Sequence, residues 1–287
     1  MVDIAIVGSG IAAVSAALTA KLRGKSVSIF GSRKLGRKYE GEHVIANYPG
    51  FTKVPASELK NALISQLEAE NLVITEDKIS AVYAMGASFT LMGAKDSYEA
   101  RTVIIATGVS AVKPYEGESE YLGRGVSYCA TCDAMLYKGR PVAVIADSAK
   151  EEDEVKFLAS VASEVTYIPG YECEATLGSN VTVLKGNVKK IEGRLKAEKA
   201  VLSSGEEVVA DAFFILREQV APNNLVPGLK TEGSYIAVDR QMRTNIAGCF
   251  ACGDVTGAPL QYAKAAGEGN IAALSAVNYI NTTKTEV

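Results

Sequence analysis

A strand, a glycine turn, a helix and a second strand follow one another between Ile4 and Phe30, and few folds accept that order. Ile4-Ala5-Ile6-Val7 is an apolar run, Gly8-Ser9-Gly10-Ile11-Ala12-Ala13 follows at once, an alanine-rich helix ends near Gly24, and Val27 to Phe30 forms the next strand. This is G-x-G-x-x-A in the setting it requires. Gly8 allows the tight turn, Gly10 lets the backbone approach a pyrophosphate, and Ala13 lets helix and strand pack closely. The free N–H groups of the helix then face the phosphates. Such a unit opens an α/β domain with a parallel sheet. The acid expected at the end of the second strand, for ribose hydroxyls, is missing, because Phe30 leads into Gly31-Ser32-Arg33-Lys34. That weakens a nicotinamide reading more than a flavin one.

Near the other end, Gly248-Cys249-Phe250-Ala251-Cys252-Gly253-Asp254 reads as a strand closing on Gly-Asp, and a small-residue helix continues through Gly267-Glu268-Gly269 to Ile280. An acid at such a strand end can hold a ribityl or ribose hydroxyl; by itself the segment reads first as a strand-turn-helix packing unit.

Cys129-Ala130-Thr131-Cys132-Asp133 joins a C-x-x-C pair to a carboxylic acid. Two such thiols can close a small disulfide, and the acid can shuttle the proton that thiolate formation releases. A C-x-x-C is also half of a zinc site, which needs two further ligands. His43 is the one histidine, and the remaining cysteines are Cys173, Cys249 and Cys252, so the ligand count fails and no metal is expected. Cys249 and Cys252 lie three apart in a strand-like run, pointing to opposite faces, and read as small core residues. Cys173 and His43 receive no role.

The 287 residues suffice for two domains or one large one. Hydrophobic content of 48% with 22% charged residues excludes a disordered chain, and a net charge of -3 gives no reason to expect nucleic acid. No secretory leader or membrane-length apolar run is seen, so a reducing cytoplasm is expected, where a C-x-x-C is more often catalytic than structural.

Taken in order, these pieces resemble the low-molecular-weight flavin-dependent thioredoxin reductases over most of the chain. The shared stretches are Gly8-Ser9-Gly10, Asn47-Tyr48-Pro49-Gly50-Phe51, Ile105-Ala106-Thr107-Gly108, Cys129 to Asp133, Pro222-Asn223, Gly248 to Asp254, Gln261 and Ala266-Gly267-Glu268-Gly269. The resemblance implies an α/β chain of two Rossmann-like, three-layer ββα/βαβ domains. An FAD domain is built from 1–112 and 235–287, and a smaller dithiol domain, 113–234, is inserted into it. It implies that Cys129 and Cys132 form the redox disulfide, with Asp133 as proton donor and acceptor. Cys132 would face the flavin and Cys129 would attack thioredoxin. FAD contacts are carried over to Gly8, Ser9, Gly10, Ala12, Ala13, Lys38, Asn47, Thr107, Gly108, Gly253, Asp254 and Gln261. The family also implies a homodimer whose two domains rotate against each other.

The departures from the pattern concern the electron donor. Family members that use NADPH carry a second glycine loop in the inserted domain. Here Pro141-Val142-Ala143-Val144-Ile145-Ala146 runs straight into Asp147-Ser148-Ala149-Lys150. Without glycines the backbone cannot cradle a pyrophosphate. The next helix opens on Glu151, Glu152, Asp153 and Glu154, which favour a helix N-terminus but repel an anion there. Pro169-Gly170-Tyr171-Glu172 stands where the family has its His-Arg-Arg type segment, so the fork for a 2'-phosphate is gone.

This pattern looks like the ferredoxin-dependent flavin thioredoxin reductases, in which electrons pass from ferredoxin through FAD to the dithiol and on to thioredoxin. A thioredoxin reductase with an unconventional NAD(P)H site, a dithiol oxidase passing electrons to oxygen and a flavoprotein redox sensor are the alternatives.

Ferredoxins are generally acidic, so a basic docking patch is expected. Arg33, Lys34, Arg37 and Lys38 form one candidate, and Lys185, Lys189, Lys190, Arg194 and Lys196 another; each reads first as solvated surface. Gly36-Arg37-Lys38-Tyr39 replaces the family's Gly-Gln-Leu near the flavin, which brings Lys38 or Tyr39 toward the ring. Leu260 replaces the usual Arg before Gln261, and Tyr262 follows it. Ser57 is placed to cap a helix whose Leu59, Leu63 and Leu67 form one apolar stripe.

Overall fold

The computed structural model describes residues 1–35, 39, 44–108, 114–173, 176–217 and 222–283, without the side chains of Cys132 and Asn223. Gly36, Arg37, Lys38 and His43 therefore lie outside the described residues. Contacts divide the chain into two compact units, Met1–Ala111 with Leu225–Val287, and Val112–Asn224. The sequence reading set the corresponding boundaries at 112/113 and 234/235.

The first unit begins with β1 (Val2–Val7), α1 (Ile11–Leu22), β2 (Val27–Phe30), a small hairpin of β3 (Val44–Ile45) and β4 (Val54–Pro55), α2 (Ala56–Ala69), β5 (Ile74–Thr75), β6 (Ile79–Ala84), β7 (Phe89–Gly93) and β8 (Ser97–Ile105). The second holds β9 (Val126–Ser127), the one-turn α3 (Ala130–Asp133), β10 (Pro141–Ala146), α4 (Glu152–Val161), β11 (Glu164–Pro169), β12 (Val181–Val183), the meander β13 (Val188–Gly193), β14 (Ala197–Leu202) and β15 (Glu207–Val209), and β16 (Ala212–Leu216). After α5 (Pro222–Leu225), the hairpin β17 (Thr231–Glu232) and β18 (Tyr235–Ile236) leads to β19 (Cys249–Ala251) and α6 (Tyr262–Thr282) in the first unit.

In the first unit the sheet runs β5-β2-β1-β8-β7-β6, with β19 also paired to β8. The strands β5, β2, β1, β8 and β19 are parallel, whereas β6, β7 and β8 form an antiparallel meander. A parallel strand covered on both faces reads as a continuous apolar run, as Ile4 to Val7 does, all four being buried. Close packing of α1 on α6 demands small residues. A side chain at Gly269 would bring its Cβ to 2.2 Å from the Ala12 carbonyl oxygen. Leu59, Leu63 and Leu67 on α2 join this core.

Ser57 does not cap α2. The helix starts at Ala56 with Pro55 in the cap position and no side-chain cap bond, so Ser57 sits inside the first turn. Cys249 and Cys252 are fully buried free thiols. Burial pushes Cys249 up to about 12 and Cys252 higher, which removes both from thiolate chemistry.

The sheet of the second unit runs β12-β11-β10-β16-β9, all parallel. One face, with Ala143, Ile145, Phe213 and Ile215, packs on the β13-β14-β15 sheet. The other, with Val142, Val144, Tyr167 and Phe214, packs on Val155 and Leu158 of α4. This is a three-layer ββα arrangement. Among the described residues no helix is long and apolar enough to cross a membrane.

Candidate active site

In the first unit the carboxyl ends of four parallel strands come together. The Gly8 N–H donates to the Phe30 carbonyl at 2.8 Å, Ala106 N–H to Val7 at 2.7 Å and Cys252 N–H to Ile105 at 3.0 Å. Three of the segments that follow these ends carry the residues expected to touch the cofactor: Gly8-Ser9-Gly10, Thr107-Gly108 and Gly253-Asp254. Such an edge, where β1 has β2 on one side and β8 on the other, is the topological switch point at which open α/β sheets bind ligands.

The glycines divide into two kinds. Gly8 has φ +124°, and a Cβ there would lie 2.1 Å from the Ala106 carbonyl oxygen, so the turn is closed by the chain itself. At Gly10 and Gly108 an added Cβ meets nothing within 4 Å, so a ligand can approach the backbone there. The first turn of α1 has no acidic residue and no side-chain cap. Its leading N–H, from Ile11, donates to the Tyr39 hydroxyl at 3.1 Å. The arrangement fits a dinucleotide pyrophosphate at Gly10 and the α1 N-terminus.

Tyr39, buried and in tilted contact with Tyr262 at 5.7 Å between ring centres, lines the same region. Burial pushes its phenol up, and the nearby Tyr262, Tyr48 and Asp254 act in the same direction. Asn47 and Gln261, which are distant in sequence, meet through a 2.8 Å bond from Asn47 Nδ2 to Gln261 Oε1.

Asp254 stands in a 3-10 turn, Gly253–Thr256, that sequence reasoning did not see as held. Lys264 Nζ donates to the carbonyls of Gly253 at 2.8 Å and Gly257 at 2.7 Å, and lies 3.1 Å from Glu268. The Glu268 carboxylate in turn accepts the Gly253 N–H and the Thr256 hydroxyl, each at 2.9 Å. The Lys264 and Glu268 spacing of four on a helix was the signal available in the sequence.

In the second unit β9 delivers Cys129 to the start of α3. Cys129 is disulfide-bonded, whereas Cys173, Cys249 and Cys252 are free. The Cys132 side chain lies outside the described residues. Ser127 Oγ accepts the Cys129 N–H at 3.1 Å and donates to Asp133 Oδ2 at 2.7 Å, which ties the acid to the turn. The Asp133 N–H closes the turn on the Cys129 carbonyl at 3.3 Å.

The second sheet has its own switch point, between β10 and β16, and the chain's own side chains fill it. Beyond the strand ends, Arg217 Nε lies 3.4 Å from Asp147 Oδ2, and Arg217 NH1 donates to both Glu118 oxygens at 2.9 and 3.0 Å. The guanidinium also lies 4.3 Å from the centre of the Tyr115 ring. Glu118 and Arg217 are only 1% and 6% exposed, so this is a buried ion pair. The Tyr128 hydroxyl donates to Glu118 at 2.8 Å and accepts from Asn224 Nδ2 at 2.6 Å. The pair is thus linked to the residue that precedes Cys129. Sequence reasoning named neither Glu118 nor Arg217.

No glycine occurs between the end of β10 and the start of α4, whose first turn carries Glu152, Asp153 and Glu154. A short 3-10 turn, Ala149–Glu151, precedes α4, so the helix begins at Glu152. Glu152 accepts the Tyr171 hydroxyl at 2.7 Å, and Tyr171 meets the Tyr167 hydroxyl at 2.7 Å. The second basic stretch is largely offset by acids: Lys190 pairs with Glu192, Lys196 with Asp211 and Lys185 with Glu172. Among the described residues no group of three or more His, Cys, Asp or Glu side chains could hold a metal.

A switch-point cradle in one Rossmann-like unit and a dithiol turn in another are the marks of a flavin-linked disulfide oxidoreductase. Residues 2–149 and 172–269 match the pyridine nucleotide-disulphide oxidoreductase family, and the chain belongs to it. It is an FAD-dependent flavoprotein of the thioredoxin reductase type. A thioredoxin reductase of Helicobacter pylori is 33% identical over 98% of this chain and 99% of its own length. A ferredoxin-flavin thioredoxin reductase of Clostridium acetobutylicum superimposes with a TM-score of 0.83 at 45% identity, covering 98% of this chain and 99% of that one. A thioredoxin reductase of Gloeobacter violaceus does so with a TM-score of 0.73 at 26% identity, over 99% and 95% of the two chains.

Proposed function

We propose that this protein reduces the disulfide of thioredoxin with electrons taken from reduced ferredoxin, and that it does not use NADPH or NADH. The observation that carries this reading is the carboxyl edge of β10. It has no glycine turn, it runs into a helix opened by three carboxylates, and its crevice is filled by Arg217 and Glu118. An anionic dinucleotide would meet repulsion and a filled site where phosphate cradles otherwise stand. The 45% identity to a ferredoxin-flavin thioredoxin reductase supports the same donor.

FAD supplies a carrier that accepts electrons singly and passes them on as a pair. Gly10, the α1 N-terminus, Thr107, Gly108, Asp254 and Gln261 are the residues that would hold it. The Cys129 disulfide, with Cys132 as its partner, takes two electrons and two protons to become a dithiol. That dithiol then reduces thioredoxin's disulfide to two thiols by exchange through a mixed disulfide, with Asp133 carrying a proton. Lys38 contributes to the flavin site, the protein acts in the reducing cytoplasm, and it works as a homodimer.

The test is anaerobic. Flavin absorbance is followed with NADPH, with NADH and with reduced ferredoxin, and oxidised thioredoxin is then added. Bleaching by ferredoxin alone, reversed by thioredoxin, is expected. Rapid bleaching by either nicotinamide overturns the donor, and oxygen uptake driven by small dithiols in place of thioredoxin turnover would favour an oxidase.

A further inference from the structure

Ser127 sits at the centre of the dithiol turn, and nothing in the reading above requires it. It ends β9, is 4% exposed, and its single hydroxyl touches three parts of the turn. The oxygen accepts the Cys129 N–H at 3.1 Å. The proton goes to Asp133 Oδ2 at 2.7 Å, in preference to the Cys129 carbonyl at 3.2 Å. A hydroxyl donates once, and a carboxylate is the stronger acceptor, which makes the 2.7 Å bond the one formed.

Among the described residues Asp133 has few other restraints in this turn. It closes α3, a helix of one turn, and its backbone N–H bond to Cys129 is long, at 3.3 Å. Burial and the Asp133 charge push the phenol of the nearby Tyr137 up. Ser127, by contrast, is fixed through β9, which pairs with β16 in the buried sheet.

We infer that Ser127 is a positioning residue. Its hydroxyl holds one Asp133 oxygen, which fixes the direction of the other, and through the Cys129 N–H it locks the same turn to the β9 edge. The inference rests on the function proposed above, in which two thiols become a disulfide, thioredoxin's disulfide becomes two thiols, and two protons move with the two electrons. Ser127 takes no part in that exchange of bonds. It keeps the proton carrier where the sulfurs are.

The experiment uses the prereduced flavoprotein and times its reoxidation by thioredoxin and, separately, by a small aromatic disulfide, in water and in deuterium oxide. Ser127→Ala should slow reoxidation about tenfold, as expected for a lost hydrogen bond to a charged group in a proton-transfer step, and enlarge the solvent isotope effect. Ser127→Thr keeps the hydroxyl and should restore most of the rate. In the double variant with Asp133→Asn the serine effect should vanish, because the acid it holds is already gone.

Parental rates for Ser127→Ala with either oxidant, a threonine variant no better than alanine, or additive losses in the double variant would overturn the inference. Should thioredoxin fail to reoxidise the parent protein, the proposed function falls, and the small disulfide still decides the role of Ser127. Should the alanine variant lose its fold, Ser127→Gly, which also removes the hydroxyl, takes its place in the single and double comparisons with the same outcomes deciding.

Discussion

Glu118→Gln isolates the buried ion pair of the second unit. The carboxylate receives both contacts from Arg217 NH1, at 2.9 and 3.0 Å, the Tyr128 hydroxyl at 2.8 Å and the Tyr115 N–H at 2.8 Å. The amide keeps the shape, but removes the charge and turns one acceptor into a donor. Arg217, 6% exposed, is then left with Asp147 at 3.4 Å, whose side chain is 44% exposed. Removing one partner of a buried pair typically costs about 3–5 kcal/mol, because the other charge stays in a low-dielectric site. At a few degrees per kcal/mol, the melting midpoint of a unit this size should fall by about 10 °C or more. Calorimetry and urea unfolding read the shift, and hydrogen exchange at 114–128 localises it. Replacing both partners by neutral side chains of similar size, Glu118→Gln with Arg217→Met, should recover most of the loss, since the isolated charge is gone. A single variant within about 0.5 kcal/mol of the parent, the range of an ordinary surface change, would refute the argument, as would strictly additive losses in the double variant.

Lys264→Met removes the cation that bridges Gly253, Gly257 and Glu268, and should weaken flavin retention about tenfold, read by fluorescence on dilution. Asp211 is held below the usual carboxylate range by its bond to Lys196, with Arg140 adding to the effect. Its folded pKa is depressed, so its contribution to stability is present above the ordinary aspartate pKa of about 4 and disappears as pH falls below it. Asp211→Asn should therefore melt lower than the parent at neutral pH and equal it in acid; a gap that persists in acid refutes the assignment. Cys129→Ser should keep its yellow flavin and lose thioredoxin reduction, and residual turnover near the parental rate would exclude the dithiol route.

What was legible in the sequence is what depends on near neighbours. The β1-turn-α1-β2 unit is written in adjacent residues, and Gly8 is demanded by a backbone conformation that other residues rarely adopt. The burial of Leu59, Leu63 and Leu67 follows from helical spacing. What was not legible depends on long-range pairing. Glu118 and Arg217 stand 99 residues apart and read singly as surface charges. Tyr39 reaches the first N–H of α1 across 28 residues. Ser57 misled because Pro55, with its extended ψ of 141°, already ends the preceding segment, so the helix starts two residues earlier than a serine cap needs. The acids that face the second basic stretch were equally hidden, because Lys185 and Lys196 pair with Glu172 and Asp211, which are distant in sequence.

On the proposed reading, in which the second unit takes no nicotinamide, its fold stands without a dinucleotide site. Its sheet is covered on both faces, by α4 and by the β13-β14-β15 sheet, and none of the residues in either core comes from the segment 147–151 that follows β10. A glycine turn is therefore not needed for the stability of this unit, while an open crevice would expose strand ends. Arg217 and Glu118 fill it, and through Tyr128 the filling also braces the strand that delivers Cys129. Inserting a G-x-G-x-x-A turn between Ala146 and Glu151 should consequently fail to make the flavin bleach with NADPH. Glu152, Asp153 and Glu154 would still repel the phosphates, and Arg217 would still occupy the switch point with its charge directed to Glu118. Fast bleaching by NADPH from that turn alone would mean that the glycines were the one missing part, and that the buried pair is no obstacle to a nucleotide.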